Sequence, residues 1–352
     1  MNEIRVIQYG IGEMGSAMAD LVSRKKGLRI VAAIDTARGV GQDLGEILGL
    51  GRKLGVIVTD DPKTVFKDCR ADVVLHATTS FLEQIYPQII DAVEAGVNFI
   101  SIAEELGYPY ARHPKLAKNI DELAKVHGVT VLGTGLNPGF IMDSLIIHCT
   151  GIFDAVRGIY AERIANSSEY GPAVLGRRGF GLSADVWKKK ASKNLISGHI
   201  GFEESISMIA DSLGWELDDI KQQAFEPVVA DIDRSTADVT IRAGTVCGFK
   251  QKVCGIKDGQ ELITFAQESQ VRAEQKRLDE HLIRIEGTPE FQFTFAIPGK
   301  RTTAAMAVNM IPQVVNARPG LTSMRELPNP AALMGDVSKL ISGAGGEGHT
   351  EG

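Results

Sequence analysis

Over the first 135 residues, short β-branched runs alternate with helical patterns. Ile4 to Tyr9, Leu28 to Ile34, Ala71 to Ala77, Val97 to Ile102 and Val129 to Leu132 each read as a strand bounded by turn or polar residues. Helical patterns lie between them, at Ser16 to Lys25, Phe81 to Ala95 and Pro114 to His127. Strict alternation of this kind predicts an α/β fold, a doubly wound parallel sheet with helices on both faces.

After residue 140 the pattern changes. Val156 to Ile164 alternates as a half-exposed strand does. Two helical segments follow, Ala184 to Leu195 and Phe202 to Leu213, the second with Phe202, Ile206, Ile209 and Leu213 on one face. Longer strands come next. Lys257-Asp258-Gly259 and Gly287-Thr288-Pro289 each separate two strand-like runs, as hairpin turns do. The expectation is an α+β domain over residues 141–300, with a largely antiparallel sheet covered on one side by helices. Thr302 to Val315 reads as an Ala-rich helix, and the segment 301–336 is expected to return to the first domain, residues 1–140. The Gly-rich stretch 342–352 reads as a flexible tail.

Composition narrows the function classes. A length of 352 residues suits two domains, and 44% hydrophobic residues suffices for a core in each. A net charge of −6 argues against a nucleic-acid surface. No apolar run approaches a membrane span, and the N-terminus enters a strand by Arg5 without a signal-like segment. Cys69, Cys149, Cys247 and Cys254 lack metal-ligand spacing, so no metal is expected, and they read as reduced thiols of a cytoplasmic protein.

The first strand runs into Gly10-Ile11-Gly12-Glu13-Met14-Gly15, followed by a helix. In this context the three glycines serve a tight turn, a close backbone approach to a pyrophosphate, and close helix–strand packing. The helix N-terminus then offers free N–H groups to the phosphates. Asp35, at the end of the second strand, is placed to accept the ribose hydroxyls of NAD, and Arg38 to pair with the 2′-phosphate of NADP. Both cofactors are therefore expected, with NAD favoured.

Ligands of doubly wound sheets bind outside the carboxyl ends of the strands. Three such ends carry chemistry here. Thr78, Thr79 and Ser80 offer hydroxyls to the cofactor, or else cap the next helix. Glu104 and Glu105 offer carboxylates for proton transfer; in strand geometry only one of them faces the site. Gly133-Thr134-Gly135-Leu136-Asn137-Pro138-Gly139 forms a close-approach loop suited to the nicotinamide side, with Asn137 and Pro138 at its tip and Asp143 beyond as a helix acid. The second domain adds Glu162, Arg163, Arg177, Arg178 and His199. His199 sits between glycines before a helix, a candidate acid/base. Arg177-Arg178 reads as a pair in a polar loop, and the three arginines are candidates for binding a substrate carboxylate.

From about residue 4 to 336 the chain resembles the 2,4-diaminopentanoate dehydrogenases and the related NAD(P)-dependent amine dehydrogenases. The resemblance is carried by Gly10 to Gly15, Ala103-Glu104-Glu105, Gly133 to Gly139 with Met142-Asp143, Gly198-His199-Ile200-Gly201-Phe202, Asn309-Met310-Ile311-Pro312 and Asn316-Ala317-Arg318-Pro319-Gly320. It implies a first domain like that of dihydrodipicolinate reductase, a homodimer, and oxidative deamination of an amine or diamino acid. It also implies a carboxylate at Glu104-Glu105 as acid/base, with Glu104 assigned first and Glu105 in reserve. Dihydrodipicolinate reductases carry adjacent histidines, which this chain lacks. A semialdehyde-type reaction needs a nucleophilic cysteine, and Cys149 lies in an apolar helical run. A dehydrogenase of simple amines and a non-catalytic NAD(P) sensor are the alternatives.

Overall fold

The computed structural model describes residues 3–341, apart from 170, 237 and 273–278. The tail expected at 342–352 lies outside the described residues. In chain order the first elements are β1 (Ile4–Tyr9), α1 (Glu13–Arg24), β2 (Leu28–Ile34), α2 (Leu44–Ile47), β3 (Val58–Thr59), α3 (Pro62–Asp68), β4 (Val73–His76), α4 (Leu82–Glu94), β5 (Asn98–Ser101), α5 (Pro114–His127) and β6 (Thr130–Gly133). Next come α6 (Ser144–Thr150), β7 (Ala155–Asn166), α7 (Pro172–Arg177), α8 (Ala184–Ala191), α9 (Phe202–Leu213), β8 (Asp219–Val229), β9 (Arg234–Ser235), β10 (Thr240–Ile241), β11 (Val246–Lys257), β12 (Gln260–Gln270), β13 (Asp279–Thr288) and β14 (Phe291–Ile297). The chain ends with α10 (Gly299–Asn309), α11 (Ile311–Val315) and β15 (Gly320–Thr322). It divides into two compact units: one runs up to Ile141 and resumes at Lys300, and the other is Met142–Gly299.

In the first unit, β15-β6-β5-β4-β1-β2-β3 form a seven-stranded sheet in which every pairing is parallel. The chain moves outward from β1 in one direction and then returns to β4 on its other side, so β1 and β4 flank a topological switch point. Period-two alternation splits the core. Ile4 and Val6 of β1 with Val73 and Leu75 of β4 pack on the face that carries α1, α10 and α11, through Met18, Val22, Ala304, Ala307, Val308 and Ile311. Ile7, Tyr9 and Val74 pack on the other face, against Leu82, Ile85 and Ile89 of α4 and Ile120 of α5. Each fully buried Val, Leu, Ile or Met among them contributes about 1.5–3 kcal/mol. Pro114 starts α5, and Gly128, at φ +69°, ends it in the left-handed conformation. The single helix expected over Thr302 to Val315 is two, because Pro312 cannot donate into a continuous helix and its ring excludes the preceding turn.

In the second unit, β14-β13-β7-β12-β11-β8 form a six-stranded sheet. It is antiparallel except between β7 and β12, which run parallel. The inward face buries Ile159, Ala161, Ile263, Phe265, Ile283 and Ile285. Helix α9 covers it: Phe202 meets Phe265 edge-on at 5.6 Å, and Ile206 fills the space that a Cβ on Gly255 would occupy. The opposite face is half exposed along β7 and β13. The helix expected to reach Leu195 ends at Ala191, after a first turn capped by the Ser183 hydroxyl. Among the described residues, no helix is long and apolar enough to cross a membrane.

Candidate active site

Gly10 has φ +86°, and a Cβ there would lie 2.4 Å from the Ala77 carbonyl oxygen at the end of β4. A Cβ on Gly15 would lie 1.9 Å from the Gly10 carbonyl oxygen, so α1 rests on the turn itself. A Cβ on Gly12 meets nothing within 4 Å, and Gly12 begins α1 with no side-chain cap. The loop therefore presents bare backbone and a helix N-terminus on the side where a dinucleotide's phosphates would run, which is the fit such a cofactor requires. Glu13, in the first turn of α1, is ion-paired to Lys300. Ile11 is fully buried in the core and Met14 packs beside it, so both support the turn through their side chains.

Asp35 directly follows β2 and ties the glycine loop to its own turn. Its carboxylate accepts the backbone N–H groups of Ile11 at 2.6 Å, and of Ala37 and Arg38 at 2.8 Å each. Partial burial opposes its ionisation, but the amides of Arg38, Ile11 and Ala37 outweigh that and hold its pKa below the usual carboxylate value. The Arg38 side chain is exposed nearby.

At the end of β4, Thr78 and Thr79 do not cap α4. The cap is Phe81, with no side-chain bond, and the Leu82 N–H is instead taken by Glu105 Oε2 at 2.8 Å. Thr78 Oγ1 lies 2.8 Å from His76 Nε2, and Thr79 Oγ1 donates to Gln84 at 3.1 Å. His76 was not legible as a site residue. It is fully buried, bonded to Ser101 at 2.8 Å and to Gln88 at 2.6 Å, and burial depresses its pKa to about 4.

The carboxylate pair is not in strand geometry. β5 ends at Ser101, and Glu104 to Leu106 form a 3-10 turn, which separates the two side chains by turn geometry and not by alternation. Glu105 is 4% exposed and is held on three sides, by the Leu82 N–H, by Arg112 at 3.5 Å and by His113 Nε2 at 3.3 Å. The last contact is a close approach without hydrogen-bond alignment. Glu104 is half-buried on the same turn. The Gly133 to Gly139 loop packs directly on this turn. A Cβ on Gly133 would lie 2.2 Å from the Leu106 carbonyl oxygen, and Pro138 Cγ is 3.0 Å from where a Gly107 Cβ would be. Asn137 is half-buried beside Pro138.

In the second unit, Asp143 caps α6, accepting the Ser144 N–H at 2.6 Å and the Ser205 hydroxyl at 2.9 Å. The arginine pair is not a loop pair. Arg177 ends α7 and is exposed, whereas Arg178 turns inward, its guanidinium over the Phe249 ring at 5.6 Å. Arg163 is 8% exposed and ion-paired to Asp279, its Nε donating at 3.2 Å. Glu162 points to the opposite face, into a hollow of about 340 Å³. The His199 loop is strapped to the sheet. Gln251 Oε1 accepts the His199 N–H at 2.7 Å, and a Cβ on Gly198 would lie 2.3 Å from that oxygen. The His199 ring meets Phe202 at 4.6 Å, and burial, then the charges of Arg163 and Arg178, press its pKa well below the ordinary value. The structure thus brings Arg163, Arg178 and His199 together and leaves Arg177 out. Asp279, His281 and Gln267, which complete the group, were missed. Arg163 between Ala161 and Ala165 was the available signal, since a charge at an inward position of a strand demands buried partners.

Comparison with known proteins adds the family. Residues 140–343 match the 2,4-diaminopentanoate dehydrogenase C-terminal domain, and residues 4–101 match the dihydrodipicolinate reductase N-terminus. The 2,4-diaminopentanoate dehydrogenase of Acetoanaerobium sticklandii is 41% identical over 97% of this chain and 98% of its own. The chain belongs to the 2,4-diaminopentanoate dehydrogenase family. It is an NAD(P)-dependent oxidoreductase acting on an amine-bearing carbon. An amine dehydrogenase of Streptomyces virginiae is 24% identical over 94% of this chain and 98% of its own. Among solved structures, amine dehydrogenase from Mycobacterium smegmatis aligns with a TM-score of 0.85 at 28% identity, covering 94% of this chain and 97% of that one.

Proposed function

We propose that the chain oxidises 2,4-diaminopentanoate to 2-amino-4-oxopentanoate and ammonia. The observation that carries this substrate is the end-to-end likeness, 41% identity over 97% of the chain, to a protein of that activity. The balance is one substrate ammonium, one water and one oxidised cofactor giving ketone, ammonium, reduced cofactor and one proton. When bound, the cofactor would supply a hydride acceptor for C4. Gly10, Gly12 and the N-terminus of α1 would hold its pyrophosphate, and Asp35 its ribose, with Arg38 beside a 2′-phosphate; Thr78, Thr79 and Asn137 would line the nicotinamide side.

Hydride can leave only when the C4 nitrogen has a lone pair to form the C=N bond. Glu104 takes that proton from the substrate ammonium and passes it to solvent, takes a second as water attacks the iminium, and returns this one to the departing ammonia. Glu105 is committed to the Leu82 amide and its two basic neighbours, so it positions the turn that carries Glu104. Arg163 and Arg178 supply the cationic surface for the substrate carboxylate. His199, held low in pKa and strapped by Gln251, stays neutral and shapes the same polar surface.

The rival is a dehydrogenase of unsubstituted amines, to which the 0.85 TM-score with an amine dehydrogenase lends support. A substrate carboxylate needs a cationic contact that an unsubstituted amine does not, and Arg163 and Arg178 are the candidates for it. Rates with 2,4-diaminopentanoate and with 2-aminopentane separate the two. A homodimer belongs to the same proposal: Tyr160, Ile164, Leu262 and Leu282 lie half exposed on the outer face of the six-stranded sheet, and light scattering of the purified chain checks it. So does a cytoplasmic location, consistent with four unpaired cysteines.

A further inference from the structure

Rows of side chains cross the six-stranded sheet on its inward face. Two are largely apolar: Ile285, Ile159 and Ile263, then Ile283, Ala161 and Phe265. The third changes character. It runs His281, Arg163, Gln267 and Gln251 on β13, β7, β12 and β11, each directly opposite the next. Phe295 closes one end, stacked on His281 at 5.1 Å, and Phe225 closes the other.

Two members of the row are already used. Arg163 is paired with Asp279, and Gln251 straps the His199 loop. Gln267 and His281 differ. They are 3% and 2% exposed. Among the described residues, Gln267 Oε1 and both ring nitrogens of His281 have no hydrogen-bond partner. Leaving three polar atoms unpaired in one buried strip is costly, so the strip is built for something that pairs with them. A neutral imidazole offers one donor and one acceptor, and Gln267 Oε1 offers an acceptor. The complement is a group with two donors next to an acceptor, beside a guanidinium. An ammonium adjacent to a carboxylate has this pattern; a lone amine or a lone carboxylate does not.

We propose that Gln267 and His281 bind the α-ammonium of the substrate, Gln267 through Oε1 and His281 through its unprotonated nitrogen, and thereby select a diamino acid over amines that lack it. The proposal rests on the reading of function above, in which the reacting amine is the distal one, so that only binding contacts can recognise the α-ammonium. Burial, reinforced by the Arg163 charge, depresses the His281 pKa to about 4. The ring is therefore neutral at working pH and does not repel an ammonium.

The test compares kcat/KM for 2,4-diaminopentanoate with that for 4-aminopentanoate, which lacks only the α-amine. The wild-type chain should favour the diamino acid, and Gln267→Met should shrink that preference at least about tenfold, the scale of one charged hydrogen bond. A wild-type ratio near one, or a ratio untouched by Gln267→Met, overturns the proposal. A second arm needs no variant. At equal concentration and with NAD(P) present, 2-amino-4-oxopentanoate should raise the melting temperature of the wild-type chain more than 4-oxopentanoate does; equal protection overturns the proposal. If the wild type turns over neither substrate, the functional reading fails, and the thermal arm still decides the α-ammonium site.

Discussion

Glu105 holds the first amide of α4 and two basic side chains, whereas Glu104 stands half-buried one residue earlier on the same 3-10 turn. The two substitutions should therefore separate. Glu104→Gln should keep the fold and NAD(P) binding while kcat falls at least about a hundredfold and the pH–rate profile loses a limb. Glu105→Gln should lower the melting temperature, by about 1–3 kcal/mol of stability, through the lost charge on a buried acceptor. Circular dichroism with steady-state kinetics on both variants checks this; an active Glu104→Gln with a folded, inactive Glu105→Gln would reverse the assignment. Asp35→Ser should shift the NADP-to-NAD ratio of kcat/KM toward NADP by roughly 1–2 kcal/mol. It should also destabilise the apo-protein, because three amides lose their acceptor. An unchanged ratio would separate Asp35 from the ribose and leave it only the loop. Among the arginines, Arg163→Lys keeps a charge opposite Asp279 but loses the planar fork, so KM for the diamino acid should rise. Exposed Arg177→Ala should change that KM by less than about twofold, and a larger effect would restore Arg177 to the site.

At the scale of elements, one buried histidine in each sheet carries a pH dependence. His76 at the end of β4 and His281 on β13 each have a pKa near 4 in the fold, against an ordinary 6.5. Between those values the unfolded chain binds the protons that the folded chain refuses. Stability is therefore full above pH about 6.5 and falls as pH drops toward 4, by about 1.4 kcal/mol per pH unit for each histidine. Melting temperatures at pH 7 and 5 measure this, and His76→Gln should flatten the slope; equal melting temperatures at both pH values would refute it. The elements themselves were legible where period and punctuation agree. β1, β2, α5 and α9 have the bounds that their apolar spacing and flanking glycines or prolines predict. The helix over Thr302 to Val315 was not, because its Ala-rich pattern runs on past Pro312. Thr78 and Thr79 look like caps in sequence, and only the fold shows a carboxylate from 23 residues away doing that work. The polar row on the second sheet was illegible for the same reason. Arg163 meets Gln267 and His281 only after strands more than 100 residues apart have paired.

On the scale of the molecule, each unit has its own logic. The first unit builds a bare-backbone turn at its switch point and sets the Glu104 turn against the Gly133 to Gly139 loop. The second concentrates its buried charge and its unpaired polar atoms on one strip of a sheet whose other inward rows are apolar. The chain's family gives its activity, NAD(P)-dependent oxidation of an amine-bearing carbon. The most direct measurement is the appearance of reduced nicotinamide and free ammonia when the purified chain meets NAD, or NADP, and 2,4-diaminopentanoate at alkaline pH. Equal amounts of both products should form, with kcat/KM at least about tenfold above that for 2-aminopentane, the ratio expected from one retained charged contact. Failure to form either product with any diamino acid, while simple amines are oxidised, would contradict it.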